Sequence, residues 1–394
     1  MPGSVIVSSA RTPIGKLSGA LASFSAMDLG GLAIKAALER AGVAPDAVDY
    51  VLMGQVLQAG QGQITARQAA GNAGVPMSVP AMTVNKVCLS GINAIYLADQ
   101  MIQAGDAEIV VAGGMESMTS APYLLPGARA GYRMGNGDLV DSLINDGLWC
   151  AFDAIHMGAG TEQYCGKVGG ISREAQDELA AKSHERAAAA IKEGRFADEI
   201  TPVSVKQRKG DPILVENDEG VRPGTTAESL SSLRPAFSKD GAITAGNASQ
   251  ISDGAAAVIV MSKKKAEALG VAPLAELVAF GMVAGPDPSL LHQPSGAIKA
   301  ALAKAGMSLS DIDLFELNEA FAAVGIASME DLGISDEVVN VNGGAISLGH
   351  PIGMSGTRVV LTIINELRRR GGGTGAAALC GGGGQGDAAI VRTL

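Results

Sequence analysis

Aromatic residues make up only 3% of this 394-residue chain, with a single tryptophan, against 53 glycines. Its cores must therefore be built from small and aliphatic side chains packed at close backbone separation. The four cysteines (Cys88, Cys150, Cys165, Cys380) are too few and too scattered for a disulfide framework, and no CxxC pair points to zinc, so free thiols are expected. Histidines also number four, and His184-Glu185 lacks the second histidine of an HExxH site; a zinc hydrolase has no ligand set and no metal is expected. His184 reads as a surface helix residue and His292 as a loop residue. Positive charge is in deficit, 30 Lys and Arg against 40 Asp and Glu, which argues against nucleic acid as a partner. The densest basic cluster, VKQRKGD at 205–211, is flanked by turn residues and reads as a solvated loop. No stretch approaches the roughly 18–20 apolar residues of a membrane span, and the opening MPGSVIVSSARTPIG has neither the charged nor the apolar region of a secretory signal. A cytoplasmic protein without membrane contact is expected.

What is present is repetition. AIKAALERAG at 33–42 is matched by AIKAALAKAG at 297–306. Both are amphipathic helices, with Gly42 and Gly306 where a C-cap glycine belongs. The match continues: AGVAPDAVDYVLMG at 41–54 parallels AGMSLSDIDLFELN at 305–318, and the segment from Cys88 to Gly114 parallels Gly353 to Gly383 with Ser90 opposite Ser355. Three segments in one order at a nearly constant interval mean a duplicated domain, not a solenoid.

Strand-like runs such as VIVSSA, YVLMG and EIVVAGG alternate with helical segments, which predicts two α/β domains with mostly parallel sheets covered by helices and related by a pseudo-twofold axis. Residues 1–118 with 246–270 form the first domain and 271–394 the second. Between them, 119–245 is an insertion large enough to hold its own ligand or subunit contacts. Its Gly- and Pro-rich start, about 119–145, keeps Tyr123, Leu124, Leu125 and Tyr132 for an oligomer contact, and 171–195 reads as a helix.

Chemistry gathers at strand ends. Cys88, in TVNKVCLSGINAIYLADQMIQAG, lies between a strand-like run and a helix start, where backbone N–H groups and the helix dipole favour thiolate. A buried structural cysteine is the competing reading. The second half places Asn318 in FELNEAF, His350 in GGAISLGHPIGMSG and Cys380 in LCGGGGQGD, each in or beside a turn. His350 precedes the counterpart of the Cys88 helix, so the pseudo-twofold can bring imidazole and thiol to one seam, where the imidazole accepts the thiol proton. Gly381 to Gly386 also spell GxGxxG, but DAAIVRTL after them reads as a strand where a dinucleotide-binding fingerprint needs a helix.

NKVCLSG, NEAF, GGAISLGHPIGMSG and LCGGGGQG, in this order over almost the whole chain, resemble the thiolase family; GNASQISDGAAA at 246–257 and HMG at 156–158 resemble further thiolase segments. The resemblance implies a five-layered α/β fold of two duplicated domains with mixed sheets plus the inserted loop domain, assembled as a homotetramer, a dimer of dimers, through the 119–145 loop. It implies ping-pong acyl transfer: Cys88 attacks an acyl-CoA, His350 takes its proton, and Cys380 removes a proton from the α-carbon of a second acetyl-CoA. His350 and a water held by Asn318 stabilise the resulting carbanion, and backbone N–H groups of Cys88 and Gly382 form the other oxyanion hole. Coenzyme A is substrate and product, and no cofactor is implied. Its pantetheine and acyl end would meet His156, Met157 and Ser249, and its nucleotide end Arg222 and Ser229. An arginine suits phosphate on an acidic protein.

His156-Met157-Gly158 resembles the acetoacetyl-CoA branch, the acetyl-CoA C-acetyltransferases, which implies short acyl groups. Met354 stands where that branch commonly has Ala, and Leu89 where Gly is usual, so the pocket is either narrowed or merely repacked nearby. The alternative within the family is a degradative 3-ketoacyl-CoA thiolase of longer, branched or steroid-derived chains. A decarboxylating synthase would want a second histidine at Asn318, and a hydroxymethylglutaryl-CoA synthase a catalytic glutamate at Cys380. A non-catalytic acyl-CoA-binding scaffold is the alternative of a different class.

Overall fold

In a computed structural model, which describes residues 3–394, the first half runs β1 (Ser4–Arg11), α1 (Ala26–Ala41), β2 (Tyr50–Gly54), α2 (Thr65–Asn72), β3 (Ala81–Val84), α3 (Ser90–Ala104) and β4 (Ile109–Ser117). Helix α1 starts where sequence dictates: Ser25 and Asp28 exchange side-chain and backbone bonds in a capping box, and Gly42 closes the helix at φ 63°. The insertion supplies α4 (Met157–Lys167) and α5 (Arg173–Lys192), after which β5 (Ser252–Ser262) returns to the first sheet. The second half repeats the scheme as β6 (Ala275–Ala284), α6 (Gln293–Ala305), β7 (Leu314–Leu317), α7 (Ala322–Leu332), α8 (Ser355–Arg369), β8 (Thr374–Gly381) and β9 (Gln385–Thr393). Gly306 ends α6 at φ 65°, the counterpart of Gly42.

The strands lie in the order β7-β8-β9-β6-β1-β5-β4-β2-β3. Two half-sheets thus join into one, because β1 pairs antiparallel with β6 at Val5–Glu276 and Ile6–Ala275. The expected predominance of parallel pairing does not hold. Among the described residues only β2–β3, β2–β4 and β7–β8 are parallel, and the other ladders of the main sheet are antiparallel. The reason is local: β9 returns from β8 through a tight glycine turn, which can only give a hairpin, and β5 fills the equivalent slot in the first half.

Three apolar cores separate the layers. One lies between α1, α2 and the first half-sheet, with Ile34, Leu38 and Ile259; a second between α6 and the second half-sheet, with Ile298, Leu302 and Ile390. The central core, with Ile95, Val110, Val359, Ile363 and Leu379, surrounds α3 and α8, which form the middle layer of five. These two helices meet at their first turns, where only glycine fits: a Cβ at Gly356 would lie 2.3 Å from Ile92 N. The pseudo-twofold contact therefore brings the start of both helices, and the loops before them, to one place.

The insertion covers that place. Its opening segment exposes Tyr123, Leu125, Tyr132, Met134 and Leu139. Among the described residues, no helix is long and apolar enough to cross a membrane.

Candidate active site

Cys88 sits on a turn that its neighbours hold in a sparsely populated conformation. Val87 takes φ 51°, a left-handed geometry unfavourable for a β-branched residue. Ser90 fixes it: its Oγ accepts from Lys86 N at 2.9 Å and donates to the Val87 carbonyl at 2.6 Å. Asn85 Oδ1 accepts from Val87 N at 3.1 Å, and Lys86 Nζ reaches Asp387 on β9 at 2.8 Å. The turn of one half is thereby anchored to a strand of the other.

His350 arrives from the second half. Gly349 before it takes φ 113°, and its α-carbon lies so near Ser252 that a Cβ would come 2.5 Å from the hydroxyl. The His350 N–H donates to the Gln250 carbonyl at 3.1 Å and to Ser252 Oγ at 3.2 Å. Ser355 Oγ, at the first residue of α8, is 2.6 Å from His350 Nδ1 and gives its own proton to the Pro351 carbonyl at 3.0 Å. The hydroxyl must then accept from Nδ1–H, which leaves the Nε2 lone pair facing Cys88 Sγ at 3.3 Å.

The resting charge state differs from expectation. Burial in an apolar wall of Val56, Leu57, Met118, Leu143 and Ile352 pushes the Cys88 thiol up to about 12, its own N–H pulling slightly down and Glu116 pushing further up. Sγ stands two residues before the first helical residue of α3, so desolvation outweighs the dipole that seemed to favour thiolate. Burial, with the Arg358 cation second, drives His350 down to about 3. The pair rests as neutral thiol and neutral imidazole.

Asn318 follows β7 and is fully buried; its Nδ2 lies 3.4 Å from His350 Nε2, while its Oδ1 has no partner among the described residues. Cys380, near the end of β8, packs among Tyr164, Leu291, Phe321 and Val324, and its thiol is raised first by burial and then by Cys88. Gly382 brings its α-carbon against the Val87 side chain, where a Cβ would lie 3.2 Å from Cγ2. The structure thus gathers Cys88, His350, Asn318, Cys380 and Gly382 at the seam of the two halves.

A cavity of about 240 Å³ opens onto His350 and is walled by Met118, Leu148, His156, Phe237, Ser249 and Phe321. The His156 ring stacks on Phe237 at 4.7 Å, and its Nδ1 caps α4 by accepting from Gly158 N at 3.1 Å, so Nε2 is the nitrogen left for a ligand. Met157 packs against the buried cluster that contains Cys380, Tyr164 and Phe321 and is not on the wall of that cavity. Arg222 and Ser229 lie outside it on the exposed surface. His184 is not a surface residue: it is fully buried, accepts from Arg222 N at 3.1 Å through Nδ1, and is held down to about 4 by burial and the Arg222 charge. His292 is exposed, as its loop position implied. Leu89 and Met354 are both fully buried in the central core, so their bulk repacks that core and does not line the cavity.

Three groups escaped the sequence reading. Ser355 had a signal, since it stands opposite Ser90 in the repeat and both hydroxyls donate to a carbonyl of the preceding turn. Glu116, at the end of β4, accepts from the N–H groups of Val56, Leu57 and Gly353 at 2.9, 3.2 and 3.1 Å, tying the wall beside Cys88 to the His350 loop; burial raises its carboxyl to about 7. Arg358 and Glu316 form a buried ion pair at 2.7 Å behind the imidazole. Nothing local marks these residues as partners.

Family models match the chain over both halves: the thiolase N-terminal domain over residues 4–264 and the thiolase C-terminal domain over 271–393. The chain is 59% identical over 388 residues to a probable acetyl-CoA acetyltransferase of Mycolicibacterium smegmatis, covering 98% of this chain and 100% of that protein. It is 54% identical over 367 residues to an acetyl-CoA acetyltransferase of Cupriavidus necator, covering 93% of each. The crystal structure of the Bacillus anthracis acetyl-CoA acetyltransferase superimposes with a TM-score of 0.97 at 42% identity, covering 100% of this chain and 99% of that one.

Proposed function

This chain belongs to the thiolase family, and on that premise we propose that it is an acetyl-CoA C-acetyltransferase, joining two acetyl-CoA to acetoacetyl-CoA and CoA or cleaving acetoacetyl-CoA in reverse. The observation that carries the reading is the 3.3 Å contact between Cys88 Sγ and a His350 Nε2 whose other nitrogen is engaged by Ser355.

In the first half-reaction Sγ attacks the thioester carbon as its proton passes to Nε2; the tetrahedral oxyanion is met by the N–H groups of Cys88 and Gly382; CoA departs as the thiol by taking that proton back. A neutral imidazole is the form this step requires.

In the second, Cys380 gives its proton to His350 and, as thiolate, removes one from the methyl group of a second acetyl-CoA. The enolate oxygen is stabilised by the His350 Nε2–H and Asn318. Its carbon attacks the acetyl group on Cys88, and the expelled Cys88 thiolate recovers the proton from His350.

His156 and Ser249, on the cavity wall, hold the pantetheine and acyl end, with Met157 packed against the cluster around Cys380; Arg222 and Ser229 meet the nucleotide end from the surface. The exposed apolar side chains of 119–145 support assembly as a homotetramer. The deciding measurement is kcat/KM for CoA-dependent thiolysis of acetoacetyl-CoA relative to 3-ketooctanoyl-CoA. A ratio well above one supports this reading, and a ratio below one assigns the protein to degradation of longer chains.

A further inference from the structure

Helix α8 is buried on nearly every side, yet it carries Ser355, Arg358 and Thr362 along one flank, each almost fully buried. Ser355 holds His350 Nδ1. One turn later Arg358 Nη1 donates to Glu316 Oε2 at 2.7 Å. Glu316 lies on β7 two residues before Asn318, whose amide approaches His350 Nε2. A further turn along, Thr362 donates to Glu199, which is paired with the buried Arg11. The Arg358–Glu316 pair therefore joins the two elements from which both nitrogens of the catalytic imidazole are met.

Stability does not explain this pair. Burying two ions costs as much as their attraction returns, and an apolar pair of similar volume serves as well. Arg358 is moreover under-satisfied, since its Nε and Nη2 are buried without partners among the described residues. Burial raises the Glu316 carboxyl to about 7 despite the arginine, with Glu199 and Glu319 adding to the rise. A costly charge kept behind a catalytic base points to a role in that base's chemistry.

We propose that Arg358, braced by Glu316, is a positioning residue for acyl transfer: it locks β7 to α8 so that Asn318 and Ser355 hold His350 from both sides. The proposal rests on the role assigned to Cys88 and His350 above. The lowered imidazole pKa has Arg358 as its second cause, after burial, which agrees with the geometry.

The test compares wild type with Arg358→Met, Arg358→Lys and the apolar double variant Arg358→Met with Glu316→Leu, each first checked for folding by thermal unfolding. Two readouts are followed from pH 5 to 9: thiolysis of acetoacetyl-CoA, and alkylation of Cys88 by iodoacetamide, which needs no substrate. Arg358→Met is expected to lower kcat about tenfold or more with KM changed less than about threefold, and to move the acid limb of both profiles to higher pH, since the second of the two causes that depress the imidazole is gone while its burial remains. Arg358→Lys should return the acid limb to its wild-type position while restoring only part of kcat, because the shorter ammonium does not place its donor where Arg358 Nη1 meets Glu316. If the single variant does not fold, the double variant decides. A folded double variant with wild-type kcat and wild-type profiles overturns the proposal. Failure of the wild-type enzyme to cleave acetoacetyl-CoA would instead sink the acetyl-CoA C-acetyltransferase reading, and the alkylation profiles would still judge Arg358.

Discussion

Gly91 on α3 faces Thr357 on α8 so closely that a Cβ on the glycine would lie 2.7 Å from Thr357 Oγ1 and 2.8 Å from Thr357 N. The same glycine is three residues from Cys88, and Thr357 is two from Ser355. Packing at the pseudo-twofold and spacing of the reactive groups are therefore one constraint.

Gly91→Ala should accordingly destabilise the fold by about 1–3 kcal/mol, the usual cost of forcing a methyl into a filled space. Denaturant unfolding measures that loss. Wild-type stability in the variant would mean that the helices can separate freely, contrary to the contact described.

Cys88→Ala removes the only proposed nucleophile, and mass spectrometry after incubation with acetyl-CoA should find no acetylated enzyme. Cys380→Ala should still be acetylated at Cys88 but should lose condensation. An acetyl group on Cys380 in the first variant, or normal turnover in the second, contradicts the division of labour.

Ser355→Ala should lower kcat by at least about tenfold with little change in KM, as part of the roughly hundredfold or larger effect of a positioned general base. Without the hydroxyl the Nδ1–H loses its acceptor, and only the longer contacts of Asn318 Nδ2 and Cys88 Sγ with Nε2 still favour that tautomer. Nitrogen-detected NMR of the ring should show a single Nδ1–H form in the wild type and a mixture in the variant; a single form in both rejects the tautomer argument.

Glu366 on α8 accepts from Arg369 at 2.8 and 2.6 Å, from Arg370 at 2.6 Å and from Asn342 at 2.9 Å. Burial alone would raise its pKa, but these donors outweigh it and hold the carboxyl at about 2, below its ordinary 4.5. The folded value lies below the unfolded one, so the stabilisation is complete above about 4.5 and is lost as pH falls towards 2. Glu366→Gln should unfold at lower temperature than wild type at pH 7, with the gap closing as the pH is lowered through that window. A gap of constant size would show that the charge is irrelevant.

The repeat, and with it the convergence of Cys88 and His350, was legible because duplicated helices leave duplicated letters. The strand pairing was not: the antiparallel placement of β5 depends on where the chain re-enters after the insertion, which no local pattern records. His184 and Arg358 failed for a shared reason. Each belongs to a polar side of a helix, and periodicity reveals that such a side exists without revealing whether water or another part of the protein covers it. In α8 the cover is a chain of carboxylates, Glu316 and Glu199, drawn from a distant strand and from the insertion. The state of the Cys88 thiol was misjudged because desolvation is a property of the assembled wall and not of the residues beside it in sequence.

The β1–β6 seam has a consequence for any division of the chain. Severed between residues 264 and 271, each half would expose a bare strand edge and a helix surface thinned by glycine, two of the surfaces most prone to indiscriminate self-association. The first half would keep the nucleophile, and the second the base and the partner thiol. Neither fragment would hold the whole reactive set, because the two copies divide it between them.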